Sequence, residues 1–269
     1  MTPNPDMPLF WIALWCYLGG TVAACLYAGV RKPVVRGAAF ALTLVGFLAN
    51  TTALVIRSVV SGHPPVTGLF EYMVLFAWAI VLGFLLLWRR KGLDLVSVFG
   101  STAGALALAM ASLFPATIEQ QLIPALQSYW LWIHVSLAVL AEAAFTVAFV
   151  SSVMYLLGEG RGFRRMPDAR TLDTVTYRAI GIGFPLFTIG ALFAGAIWAQ
   201  KAWGSPWSWD PKETSSLIVW FIYAIYLHAR FVRGWSGSGA AWLSVLGYAM
   251  TVFTIFGSRI LGGLHSYGV

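Results

Sequence analysis

Four histidines and a cluster of three tryptophans are the residues of this chain whose types and spacing suggest chemistry. His63 lies in Ser61-Gly-His-Pro-Pro, His134 in Trp132-Ile-His-Val, His228 in Tyr226-Leu-His-Ala, and His265 in Gly263-Leu-His-Ser-Tyr-Gly. Imidazole nitrogens ligate zinc or the iron of haem, so the question is which histidines can reach one metal. Trp203, Trp207 and Trp209 fall together in the polar stretch from Gln200 to Thr214, with Gly204, Pro206 and Pro211 among them. Such a stretch reads either as an interfacial aromatic belt or as a preset platform whose indole faces suit a large planar apolar ligand. Composition alone leaves both readings open.

The elements that must carry these residues follow from hydropathy. Of 269 residues 59% are hydrophobic, 10% are charged and the mean hydropathy is +0.78. Ordinary soluble proteins carry about 25% charged residues. One soluble domain of this length cannot hide so much apolar surface, and disorder requires low hydrophobicity. An all-α, polytopic integral membrane bundle remains. About eight spans are expected, roughly Leu9–Val30, Gly37–Arg57, Phe70–Trp88, Leu95–Phe114, Tyr129–Leu157, Tyr177–Ala199, Ser215–Val232 and Ala240–Ile260. No soluble domain fits between them, so residues 1–269 read as a single transmembrane domain with an outer Trp-rich loop at about 200–214.

Charge orients the spans. The connections after spans 1, 3, 5 and 7 hold Arg31, Lys32, Arg36; Arg89, Arg90, Lys91; Arg161, Arg164, Arg165, Arg170; and Arg230, Arg233. The other face has Lys201 and Lys212, with Arg57 and Arg259 near helix ends. By the positive-inside rule the basic connections are cytoplasmic, and both termini and the Trp-rich loop lie on the outer, non-cytoplasmic side. The N-terminus, MTPNPDMP, has no basic region before the first apolar stretch, which therefore reads as a retained span. Cys16 and Cys25 are placed on roughly opposite sides of one helix and cannot pair. No CxxC or CxxCH occurs, so the chain is not itself a c-type cytochrome.

With this orientation His134 lies about 8 Å into span 5 at 1.5 Å per residue, near the outer end. His63 and His265 are also on the outer side. His228 lies about 20 Å along span 7, near the cytoplasm, and cannot share a metal with them. Three outer histidines could hold zinc, but a hydrolytic zinc site has no need of tryptophans. Two histidines beside an aromatic platform fit haem better. Arg259 or Lys212 would then face the propionates, although a basic residue at a helix end is more commonly a snorkelling anchor.

The run from Trp203 through Trp207, Trp209, Asp210-Pro-Lys-Glu-Thr214 to His228 resembles the tryptophan-rich "WWD" signature of haem-handling proteins. It is most similar to the CcsA/ResC type of cytochrome c biogenesis protein, and less so to the CcmC and CcmF types. The stretches around His63, His134 and His265 agree, and the resemblance runs from about span 2 to the C-terminus. Ser205-Pro206 and Ser215 depart from it where aromatics are common, which removes stacking contacts at the rim.

The resemblance implies a role in cytochrome c biogenesis: haem b, as transported substrate, enters from the cytoplasmic half and reaches an outer site. There His134 and His265 ligate the iron, and Trp203, Trp207, Trp209 and Asp210 hold the ring. His228 is implied as an inner ligand paired with a histidine of a CcsB/ResB-type partner, and His63 is not a ligand position. Apocytochrome c would offer its Cys-x-x-Cys-His segment, whose thiols add across the haem vinyls. The chain would thus be a subunit of a cytochrome c synthase in a cell or thylakoid-type membrane. The alternative is an exporter of haem or another solute without ligation activity; Glu142, within span 5, is an intramembrane acid of the kind transporters use.

Overall fold

Each apolar run folds as the helix that its length demands. The computed structural model describes residues 4–88, 93–158 and 167–265; within these, the side chains at 94, 95, 97, 98, 258 and 259 are not described. The basic residues Arg89, Arg90, Lys91, Arg161, Arg164 and Arg165, the end of the His265 stretch and the Arg259 side chain therefore lie outside the described residues.

Among the described residues every regular element is helical. In order they are α1 (Met7–Val30), α2 (Pro33–Ser61), α3 (Leu69–Trp88), α4 (Asp94–Ala111), a short 3-10 turn (Pro124–Leu126), α5 (Tyr129–Gly158), α6 (Ala169–Phe187), a π-helical segment (Thr188–Ala194), α7 (Gly195–Trp203), α8 (Pro211–Arg233) and α9 (Ser238–Leu261). The sixth expected span is the continuous rod α6–π–α7, which covers 35 residues. Among the described residues seven helical stretches are long and apolar enough to cross a membrane, so the chain is a multi-pass membrane protein. The fourth expected span is α4, which ends at Ala111, three residues before the expected boundary at Phe114.

The chain divides into two compact units, Met1–Leu122 and Ile123–Val269. In the first, α1 packs on α2 and α4, and α3 packs on α4. Its end at the loop that follows α2 is fastened by Arg57. This residue is buried, and its guanidinium pairs with Asp6 at 2.7 Å and Glu71 at 2.9 Å. It also donates to the carbonyls of Ala116 and Thr117 and lies over the Phe70 ring. Arg57 is therefore an internal clamp and not a charge at a helix end seeking water. A buried arginine is tolerable only with this full set of acceptors.

In the second unit α5 packs on α6, the π segment and α9, and α8 packs on α9. Close approach is made possible by small residues. A Cβ at Gly190 would overlap that of Leu137 on α5, so the π segment can lie against α5 only because this residue is glycine. Pro185 precedes the segment inside α6 and removes one helical N–H donor, which favours a local change of winding.

Candidate functional site

The site is built outward from one carboxylate. Asp210 is the N-cap of α8: its side chain accepts from the Lys212 N–H at 2.8 Å, and Glu213 reaches back to the Asp210 N–H to complete a capping box. The same buried carboxylate accepts from the Leu264 N–H at 2.6 Å and from His265 Nδ1 at 2.9 Å. It thus ties the C-terminal tail to the start of α8. The tail approaches so closely that a Cβ at Gly263 would overlap the Asp210 carboxylate, which explains the glycine there. Burial pushes the Asp210 carboxyl up, but the hydrogen bonds from His265, Lys212 N–H and Leu264 N–H outweigh it and hold the group down at about 2. Burial lowers the His265 imidazole below its usual range, and Asp210 only partly offsets this. At neutral pH an ionised Asp210 thus faces a neutral His265 that carries its proton on Nδ1. The lone pair is then on Nε2. This is the carboxylate–histidine arrangement that orients metal ligands.

His134 reaches the same state by another route. Its Nδ1 lies 2.9 Å from the carbonyl oxygen of Gly190, in the π segment. A carbonyl can only accept, so Nδ1 carries the proton and Nε2 carries the lone pair. The Gly190 carbonyl also accepts the Gly195 N–H, and its second lone pair serves His134. Gly195 in turn sits against the imidazole, where a Cβ would lie 3.0 Å from its Cε1 and Nδ1. Single-turn π segments are commonly found at functional sites, and here the segment fixes one ring's tautomer and orientation.

Both histidines line one cavity, together with Trp207, Lys212, Glu213 and Ser216. The Trp207 Nε1 is buried without a hydrogen-bond partner. A buried donor left unpaired costs roughly 1–3 kcal/mol. Trp203 sits edge-on to His265, with ring centroids 4.8 Å apart. Trp207 and Trp209 stand nearly perpendicular at 5.7 Å, and Trp209 is 68% exposed. Trp209 also adopts a left-handed backbone, φ 59°, which is rare for a residue with a Cβ and is a feature of functional loops. The three indoles therefore do not form one flat surface. One lines the cavity, one braces His265 and one faces outward.

The other expected residues lie elsewhere. His228 is at the opposite end of α8, about 25 Å from Pro211 at 1.5 Å per residue. It is exposed, on a stripe with Phe221, Ile225 and Val232. His63 is buried in the first unit, with its ring nitrogens beside the carbonyls of Pro64 and Glu119, which leaves none for a metal. Among the described residues no three His, Cys, Asp or Glu gather as a metal cluster. Glu142 is buried one turn from Thr146, whose hydroxyl meets that of Tyr248 on α9 at 3.2 Å.

One residue of the site is not anticipated by its motifs. Trp198, on α7, is 3% exposed, stacks on His134 at 5.9 Å and 10°, and lies 5.6 Å from His265. Its Nε1 donates to the Ala125 carbonyl at 2.8 Å, and Trp203 meets it edge-on at 4.8 Å. It contacts both histidines and fixes the spacing between them. The signal was present as a tryptophan five residues before Trp203, hidden because it reads as part of an apolar span.

Comparison with known proteins is consistent with this geometry. Residues 66–265 match the model of a family described as cytochrome C assembly protein. The chain is 40% identical over 268 residues to a cytochrome c biogenesis protein CcsA of Prochlorococcus marinus, covering 84% of each. It is 35% identical over 303 residues to that of Synechococcus elongatus, covering 91% of this chain and 92% of the relative. It is 38% identical to that of Chlamydomonas reinhardtii, covering 80% of this chain and 64% of the relative. Among solved structures, the fold is similar to a cytochrome c heme lyase CcmF, with a TM-score of 0.75 at 21% identity, over 95% of this chain and 47% of that one.

Proposed function

Since the chain belongs to the cytochrome c assembly protein family and serves cytochrome c biogenesis, we propose that it presents haem b at an outer site for attachment to apocytochrome c. One observation carries this reading. His134 and His265 face a common cavity, each with Nδ1 held by an acceptor and Nε2 left for a metal. Two neutral imidazoles of this kind are axial ligands for an iron in a planar ring. Trp207 on the cavity wall and Trp203 behind His265 supply the apolar surround, and Asp210 sets the His265 tautomer.

In this reading residues 1–269 work as one transmembrane domain, with both termini and the Trp-rich loop on the outer side. The protein's contribution to attachment is position: it holds the substrate so that the thiols of a Cys-x-x-Cys-His segment meet the vinyl groups. The segment's own histidine then takes the place of His134 or His265, and the substrate leaves. His228 belongs to an inner site that captures haem first. Its exposed position on an apolar stripe of α8 supports a second ligand from a CcsB/ResB-type membrane partner.

The test is cytochrome c assembly in cells that produce His134→Ala or His265→Ala. Each variant is expected to abolish assembly, and added imidazole to restore part of it by filling the vacant axial position. His63→Ala is expected to assemble nearly normally. Full assembly by both ligand variants would reject the outer site. Haem bound and exported without thioether formation would favour the transporter alternative.

A further inference from the structure

The two imidazoles that face the cavity are seated unequally. His134 projects from the second turn of α5, a helix that runs on to Gly158. Its Nδ1 is tied to the Gly190 carbonyl, its face stacks on Trp198 at 10°, and Gly195 packs against its edge. Gly190 lies hard against Leu137 and Ala138 of α5, so the acceptor cannot follow a moving ring unless a helix moves with it. His265 stands instead four residues beyond the end of α9 at Leu261, past Gly262 with its left-handed φ of 69°. Its ring meets Trp203 edge-on and is tilted by 57° from Trp198. Among the described residues the polar bonds of residues 262–265 both end on Asp210, from Leu264 N–H and His265 Nδ1. When the tail gives up that carboxylate, Asp210 keeps its bond from the Lys212 N–H and still caps α8. Leu264 is already 44% exposed, so little apolar surface changes its surroundings when the tail lifts. Two successive glycines at the root of the tail, Gly262 and Gly263, supply the backbone freedom of a hinge.

We propose that His265 is the exchangeable ligand and His134 the one that stays until the product leaves: the histidine of the incoming Cys-x-x-Cys-His segment takes the iron position of His265 as residues 262–265 swing away from Asp210. The inference rests on the haem reading above, which leaves the two ligands equivalent, and assigns their order. One iron–nitrogen bond breaks and one forms, and no electron or proton changes hands. Exchange at His265 parts two hydrogen bonds to a single carboxylate. Exchange at His134 parts a stacked ring and a bond to a carbonyl held between packed helices. Keeping His134 on the iron through the replacement also keeps the ring in place while thiols meet vinyls.

The experiment follows replacement of a chain imidazole by cyanide, an outside ligand with its own spectrum, in the haem-loaded full chain in detergent by stopped-flow absorption. At saturating cyanide the rate is set by how often a chain imidazole leaves the iron. Leu264→Pro deletes one tie of the tail with its N–H, and Asp210→Asn weakens the other. Each is expected to quicken replacement about tenfold over wild type, in line with the loss of a partner behind a metal ligand. A variant whose imidazole is already off the iron before cyanide is the limiting case of that acceleration. Gly195→Ala sets a methyl 3.0 Å from Cε1 and Nδ1 of His134 and is expected to weaken haem binding while replacement stays near the wild-type rate. An unchanged rate in either tail variant, or a rate raised as much by Gly195→Ala, would overturn the order and leave the haem site standing. Absence of a bis-histidine spectrum in the wild type before cyanide would overturn the haem reading and this inference together.

Discussion

Asp210 joins three tasks in one side chain: it caps α8, holds the C-terminal tail and sets the His265 tautomer. Asparagine keeps the first, since it is as good an N-cap as aspartate. It cannot keep the third, because a neutral amide stabilises Nδ1–H far less than a carboxylate does. Asp210→Asn is therefore expected to retain its melting temperature in detergent within a few degrees. Haem affinity is expected to fall about 10–100-fold, the usual cost of losing a partner behind a metal ligand. Unchanged affinity in a titration of the variant would show that Asp210 only caps the helix. At this scale the sequence was legible where residue type and motif coincide: His134, His265 and Trp207 line one cavity, and Asp210 bonds His265. Trp198 was not legible, because a tryptophan in an apolar span looks the same whether it faces lipid or two imidazoles.

The π segment is the element on which His134 depends. Gly190 gives His134 its acceptor and lets the rod touch α5. Gly190→Ala is expected to destabilise the second unit by about 1–3 kcal/mol, the usual cost of overpacking, and to weaken haem binding as the carbonyl shifts. Gly181→Ala, on α6 with nothing within 4 Å of the added Cβ, is the control and is expected to be neutral or slightly stabilising. Equal melting temperatures for the two variants would count against the close approach. In the first unit, Arg57→Met strands two buried carboxylates. It is expected to cost about 3–5 kcal/mol, read as a loss of folded protein in detergent. Helix positions were readable because an apolar run of about 20 residues has few other uses. The π winding was not, since a shift from i→i+4 to i→i+5 bonding leaves no mark in composition beyond Pro185. Nor was the Arg57 clamp, whose partners Asp6 and Glu71 are distant in sequence.

For the molecule as a whole, the proposed orientation rests on the basic residues gathered at alternate connections. Single cysteines at Ser205 and Gly160 are expected to react oppositely with an impermeant thiol reagent in intact cells: Ser205→Cys labelled, Gly160→Cys protected. The reverse pattern would place the Trp-rich loop in the cytoplasm and overturn the outer site with it. Cytochrome c assembly is the family's shared task, but the outer haem site is the claim on which the rest of the account depends. Its most direct measurement is the absorption spectrum of the purified chain with both His134 and His265 replaced by alanine, beside His63→Ala. The account predicts that the double variant folds, loses the outer bis-histidine signal and regains it in part with imidazole, while His63→Ala keeps the wild-type spectrum. An unchanged spectrum and unchanged haem content in the double variant would contradict it.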